Sequence, residues 1–176
     1  MVDKEKLLKG INQYNYIIQK FRNTDVSVDV EFQRKYAGFY RVRRNAEWRK
    51  IFFNLFEEGK NRTLSFEETL RHIYEKTGRV EASFSSKLIA TINTNMPIWD
   101  MYVLQYLGLK VKASYKDKEE RLAEIVSIYE KMQEFYKSEK AQSLVQKFNA
   151  LYDGSEVMSM ELSDVKKADF MIWGDR

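Results

Sequence analysis

Apolar residues recur at three- and four-residue steps along most of the chain, the period of helices that each bury one face. The first run covers residues 3–22, with Leu7, Leu8, Ile11, Tyr14, Ile18 and Phe21 expected to point inward. A second covers 31–43, EFQRKYAGFYRVR, with Phe32, Tyr36, Phe39 and Tyr40 as its stripe and Gly38 as a point of close helix crossing. Between them NTDVSVDV alternates Val26, Val28 and Val30, but no second run of that period offers a strand partner, so an extended connector is expected. Asn45 is placed to cap a third helix, AEWRKIFFNLFEE, with Trp48, Ile51, Phe52, Leu55 and Phe56 inward and Gly59 as its stop. Ser65 and Glu68 form a capping box ahead of a fourth helix, whose inward face is Phe66, Leu70, Ile73 and Tyr74 and whose end is Gly78.

The second half follows the same rules. A helix from Ser83 or Ser85 to about Asn93 buries Leu88, Ile89 and Ile92, and Asn93-Thr94-Asn95 breaks it. Pro97, the sole proline, bars helical angles at the residue before it, and the helix restarts at Trp99 or Asp100 and stops at Gly108. Residues 116–137 form a long amphipathic helix with Leu122, Ile125, Val126, Tyr129, Met132 and Tyr136 inward. Ser138 caps a further helix to about Asp153, and Ser163 leads a last one carrying Val165, Phe170, Ile172 and Trp173. The pattern predicts an all-α protein: one compact domain over residues 1–176, with about seven to nine helices.

Composition narrows what such a domain does. Hydrophobic residues at 44% and charged residues at 32% describe an ordinary globular chain, and 11 Tyr with 11 Phe make much of its core aromatic. No cysteine is present, which removes thiol nucleophiles, disulfides and Cys-held metals, and one histidine cannot build a multi-histidine site. No glycine-rich phosphate loop occurs, so no cofactor is expected. The amino terminus, MVDKEKLLKG, lacks the apolar run of a signal peptide, and nowhere do about 18 apolar residues run together. A cytoplasmic location without a membrane partner is therefore expected, as a monomer or a weak homodimer.

The net charge of +4 is mild, but the basic residues are not spread evenly. Residues 32–50 hold Arg34, Lys35, Arg41, Arg43, Arg44, Arg49 and Lys50, interleaved with aromatic rings. Arginine beside aromatic groups binds phosphate backbones and stacks on bases, so DNA or RNA is the partner this run points to. A solvated face with arginine stems lying over rings explains the same run. By contrast, charges in 116–137 alternate in sign, as on a plain solvent face. His72, in the middle of the fourth helix, reads as a half-buried polar residue rather than a general base. Adjacent pairs such as Glu57-Glu58 and Glu67-Glu68 point about 100° apart on a helix and do not converge.

Lys87 and Asp100 remain. Asp100 opens a helix and is suited to cap it, and a lysine on a short helix is usually exposed. A helix, turn and helix that bring an amine and a carboxylate together also assemble the parts for attack on a sugar carbon. The text S-K-L-I-A-T-I, then a turn, then P-I-W-D-M-Y-V resembles the core of the helix-hairpin-helix DNA glycosylases. That resemblance implies an all-helical fold with a nucleic-acid cleft. It implies catalysis by Asp100, flanked by Pro97 and Val103, with Lys87 as nucleophile and Trp99 or Tyr102 as a stacking wall. The chain departs from the family where V-E-A-S-F-S-S replaces the hairpin glycines and where Met101-Tyr102 follow the aspartate in place of a histidine. The other reading open to the residues is a non-enzymatic interaction or scaffold protein that associates through an aromatic helix face.

Overall fold

The computed structural model describes residues 3–174. Among these the chain is all-helical, with nine α-helices, one short 3-10 turn and no strand. In order they are α1 (Lys4–Asn23), α2 (Val30–Tyr40), α3 (Ala46–Glu58), α4 (Phe66–Thr77), α5 (Ala82–Ile92), α6 (Met101–Leu107), α7 (Lys118–Tyr136), α8 (Glu139–Tyr152) and α9 (Asp164–Gly174), with the 3-10 turn at Glu156–Ser159. No helix among the described residues is long and apolar enough to cross a membrane.

Local chemistry sets most helix starts. Asp3, Asp29, Asn45, Ser65, Asp100, Asp117 and Ser138 each accept a backbone N–H from the turn they precede. The capping box at Ser65 and Glu68 closes in both directions. α5 is the exception, because Glu81 at its cap position makes no cap bond.

Two hydrophobic clusters form the interior. One gathers α4, α6, α7, α8 and α9 around Leu70, Met132, Phe148 and Phe170. The other is a stack of rings from α2 and α3, in which Phe32, Tyr36, Phe52, Phe53 and Phe56 meet at centroid separations of 5.2 to 6.4 Å. α1 joins them, giving Ile11, Tyr14 and Ile18 to the first and Ile17 and Phe21 to the second. Phe39, Met96 and Trp173 pack against both, so they mark the seam. The aromatic faces of α2 and α3 are closed on each other within the chain instead of forming an outside surface.

Several expectations are revised by packing. Leu8 is 37% exposed while Ile17 is buried, because α1 is gripped from two sides and its apolar stripe follows both clusters. Phe53 is likewise buried beside Phe52, since α3 is enclosed on more than one face. The connector after α1 turns inward at Val26, which is fully buried, and leaves Val28 and Val30 exposed. α2 ends at Tyr40, three residues before the sequence pattern suggested. Arg41 there adopts the left-handed conformation (φ 54°, ψ 45°), and Val42, whose N–H reaches back to Ala37 O at 2.9 Å, tucks into the core. Burying Val42 forces the turn, and a non-glycine residue bears the strain.

The glycine expected at a close crossing, Gly38, has no atom within 4 Å of where a Cβ would stand, whereas a Cβ on Gly59 would lie 2.4 Å from Ile92 Cδ1 and 2.9 Å from Leu64 Cδ1. Gly59→Ala is therefore expected to push the ends of the Ile92 and Leu64 side chains aside and to cost about 1 kcal/mol, the low end of overpacking. Gly38→Ala should gain up to about 1 kcal/mol, from helix propensity. Urea denaturation of the two variants checks this, and equal effects would refute it.

Candidate functional site

The break between α5 and α6, residues 93–100, is held by three different helices. Ser163, ahead of α9, donates its hydroxyl to Thr94 O while accepting the Lys166 N–H at 3.1 Å. From α7, the Tyr129 hydroxyl donates to Pro97 O at 2.8 Å, and the Tyr129 ring stacks on Phe66 at 3.8 Å. From α5, Ser86 Oγ accepts the Trp99 N–H at 2.8 Å. Trp99 precedes the cap of α6, so its N–H has no intrahelical partner, and burial makes an outside acceptor necessary. Ser86 neighbours Lys87 and Trp99 neighbours Asp100. That bond ties the backbone just before Asp100 to the helix that carries Lys87, and the two residues line the same pocket. Nothing in the sequence singled out Ser86.

Lys87 and Asp100 line one pocket of about 390 Å3 at the seam of the two clusters, together with Arg41, Tyr40 and Phe39 from the end of α2. Tyr102 on α6 and Phe170 and Trp173 on α9 form further walls, and the first turns of α1 complete it at Lys6, Leu7 and Gly10. The volume falls in the roughly 300–1,000 Å3 range of ligand pockets. Lys87 Nζ donates to Ser83 Oγ at 2.9 Å and lies 5.3 Å from the Phe84 ring centroid and 5.6 Å from that of Tyr40. Burial pushes the Lys87 ammonium down to about 8; the Asp100 carboxylate opposes that shift, and the Lys166 and Arg41 cations add to it. Asp100 is half-buried, and its Oδ1 accepts the Tyr102 N–H at 2.9 Å. The cap engages one carboxylate oxygen, so capping and a role in the pocket are compatible.

Behind this pocket lies a group that sequence reasoning missed. Lys166 and Asp169 on α9 are 1% and 0% exposed and paired at 3.1 Å, and the Tyr136 hydroxyl donates to the same carboxylate. The Lys166 ammonium stands 4.9 Å from the Tyr14 ring centroid and 4.8 Å from that of Trp173, which is cation–π geometry. Burial pushes Lys166 down and Asp169 up, each opposed by attraction to the other, and the Asp100 charge reaches both. The K-K-A-D text around them looks like a solvent face. Only the placement of α9 between α1, α6 and α8 encloses it.

The remaining basic residues scatter. Arg44 is bound to Glu81 through Nε–Oε1 at 2.7 Å and Nη2–Oε2 at 3.0 Å, with its guanidinium against Phe84 and Trp48. Arg49 Nη2 donates to Val42 O at 3.1 Å and so braces the segment after α2. Arg43 is exposed on that segment. Arg34 is exposed on α2 and lines a groove beside α1. Trp99 is buried and lines two other cavities. Of the residues picked from sequence, Lys87, Asp100, Arg41 and Tyr102 share the pocket, and Trp99, Arg34, Arg43, Arg44 and Arg49 lie outside it. His72 is half-buried on α4 and is not among the pocket's lining residues. Compared with known proteins, the chain matches no family model, no curated protein and no solved structure.

Two stability measurements test this description. Lys166→Met or Asp169→Leu alone strands a buried charge and should cost about 3–5 kcal/mol. The double variant should cost clearly less, and additive losses would show that the two groups are uncoupled. For Lys87 the folded value, about 8, lies below that of an unfolded lysine. The unfolded chain then binds more protons between about pH 8 and pH 10, and stability rises with pH across that window. Lys87→Met removes the effect, so near pH 7 it should exceed the wild type by on the order of 1–2 kcal/mol, with the gap closing by about pH 10. A wild type more stable than Lys87→Met near pH 7 would contradict the burial described.

Proposed function

We propose that the protein binds nucleic acid and takes one sugar, turned out of its strand, into the pocket of Lys87 and Asp100. The observation that carries this reading is a half-buried amine and a carboxylate lining one aromatic-walled pocket, with Arg41 at its wall. A lysine that titrates near 8 holds roughly two orders of magnitude more free amine at neutral pH than an ordinary one. Its lone pair attacks the C1′ carbonyl of an abasic sugar, and loss of water from the carbinolamine leaves an imine to Lys87. Asp100 stabilises the positive charge that develops at C1′ and on the protonated imine. Tyr102 and Tyr40 offer faces on which a base or sugar packs, and Arg41 offers a phosphate contact. This is the chemistry that the glycosylase-like text implies, and the pocket supports it without the hairpin glycines.

The test is reductive trapping of an abasic-site oligonucleotide with cyanoborohydride, read by mass spectrometry. Wild type should yield an adduct on Lys87 whose rate climbs from about pH 6 and levels off above about pH 8, the titration of this amine. Lys87→Met should give none, and Asp100→Asn should slow trapping by at least about tenfold. An adduct on other lysines, or a rate that keeps climbing to about pH 10, would defeat the catalytic part. Absence of oligonucleotide binding even at low salt would defeat the nucleic-acid part and favour a protein partner.

A further inference from the structure

A second cavity opens onto the rim of the pocket. It is a groove of about 840 Å3 between α1 and α2, and Phe39 and Arg41 line both spaces. Lys9 comes to it from α1 and Arg34 and Lys35 from α2; with Arg41 these are four cations against a single acid, Glu5. Several basic side chains elsewhere are matched: Arg22 to Glu161, Arg44 to Glu81, and Arg71 to Glu67 and Glu119. Lys9, Arg34, Lys35 and Arg41 take part in no ion pair among the described residues. Tyr16 and Phe39 add ring surface to the groove, and Asn12 and Gln13 add neutral donors and acceptors. Gly38 leaves the α2 side open, since nothing lies within 4 Å of a Cβ placed there.

We infer that the α1–α2 groove carries the phosphodiester backbone of a single strand to the pocket, with Arg41 holding the phosphate at the junction. The inference rests on the proposed role of the pocket and adds the path by which the strand arrives. Cations with interleaved rings are the composition of single-strand channels, where phosphates set affinity and bases stack without sequence readout. Arg41 is also the one non-glycine residue with positive φ among the described residues.

Binding of a fluorescent single strand of about 12 nucleotides, followed by anisotropy across a salt series, tests the path. Lys9→Glu/Arg34→Glu should weaken binding by about tenfold or more at low salt and flatten the log–log salt dependence by about 0.7 for each phosphate no longer neutralised. Lys131→Glu/Lys147→Glu, on exposed positions of α7 and α8, is the control and should leave both unchanged. Glu5→Lys should tighten binding, which keeps the test informative if the double variant folds poorly. Equal behaviour of the groove and control variants, or preference for duplex over single strand, would overturn the inference. Trapping of 2-deoxyribose 5-phosphate on Lys87 separates the two proposals. The Lys9→Glu/Arg34→Glu protein should trap this small probe at the wild-type rate while trapping an abasic strand more slowly. A probe that is never trapped speaks against the pocket chemistry alone, and the anisotropy series still decides the groove.

Discussion

The hydrogen bond from the Trp99 N–H to Ser86 Oγ is the constraint on which the pocket depends. Pro97 interrupts the helical path, and a helix break inside a protein leaves backbone groups that water cannot reach. Here three such groups find partners outside the break: Thr94 O on Ser163 ahead of α9, Pro97 O on Tyr129 and Trp99 N on Ser86. The break is thereby rigid, and α6 begins where those three partners allow. Because the bonded residues directly adjoin Lys87 and Asp100, satisfying the backbone and placing the two charged groups are one structural event.

Burial then gives those groups their character. Lys87 sits against Phe84 and Tyr40, where the charged form is disfavoured, while Asp100 remains at the surface end of its helix. The two groups differ in exposure to water, and burial makes the Lys87 ammonium give up its proton more readily than an ordinary lysine does. The Lys166–Asp169–Tyr136 group adds a second layer of charge behind the first, closed off by the rings of Tyr14 and Trp173. It lies where the two hydrophobic clusters meet and packing alone leaves a seam.

Charge on the outside has the opposite organisation. The arginine-rich text of residues 34–50 separates in three dimensions into bracing groups and open ones. Arg44 and Arg49 hold the segment after α2 in place, through Glu81 and Val42 O. Arg34 and Arg41 remain open along the α1–α2 groove. A count of positive charges in sequence treats these as equivalent, although the first two have lost the freedom to meet a ligand.

The helices and their starts were legible in the sequence, because capping and the spacing of apolar residues act within a few positions of each other. Asn45, Ser65, Asp100 and Ser138 could be read as caps for that reason, and so could the break at Pro97. Lys87 and Asp100 also stood out there, as residue types that carry chemistry on either side of that break. What α1 and α9 do was settled by the assembled fold. α1 is gripped from two sides, which reverses Leu8 and Ile17, and α9 is enclosed, which buries Lys166 and Asp169 behind a face that reads as polar. The early end of α2 has the same origin, since burial of Val42 is a long-range demand that forces Arg41 into the left-handed turn. Solvent exposure belongs to the assembled chain, and the pocket, its amine and its groove exist only where elements distant in sequence exclude water together.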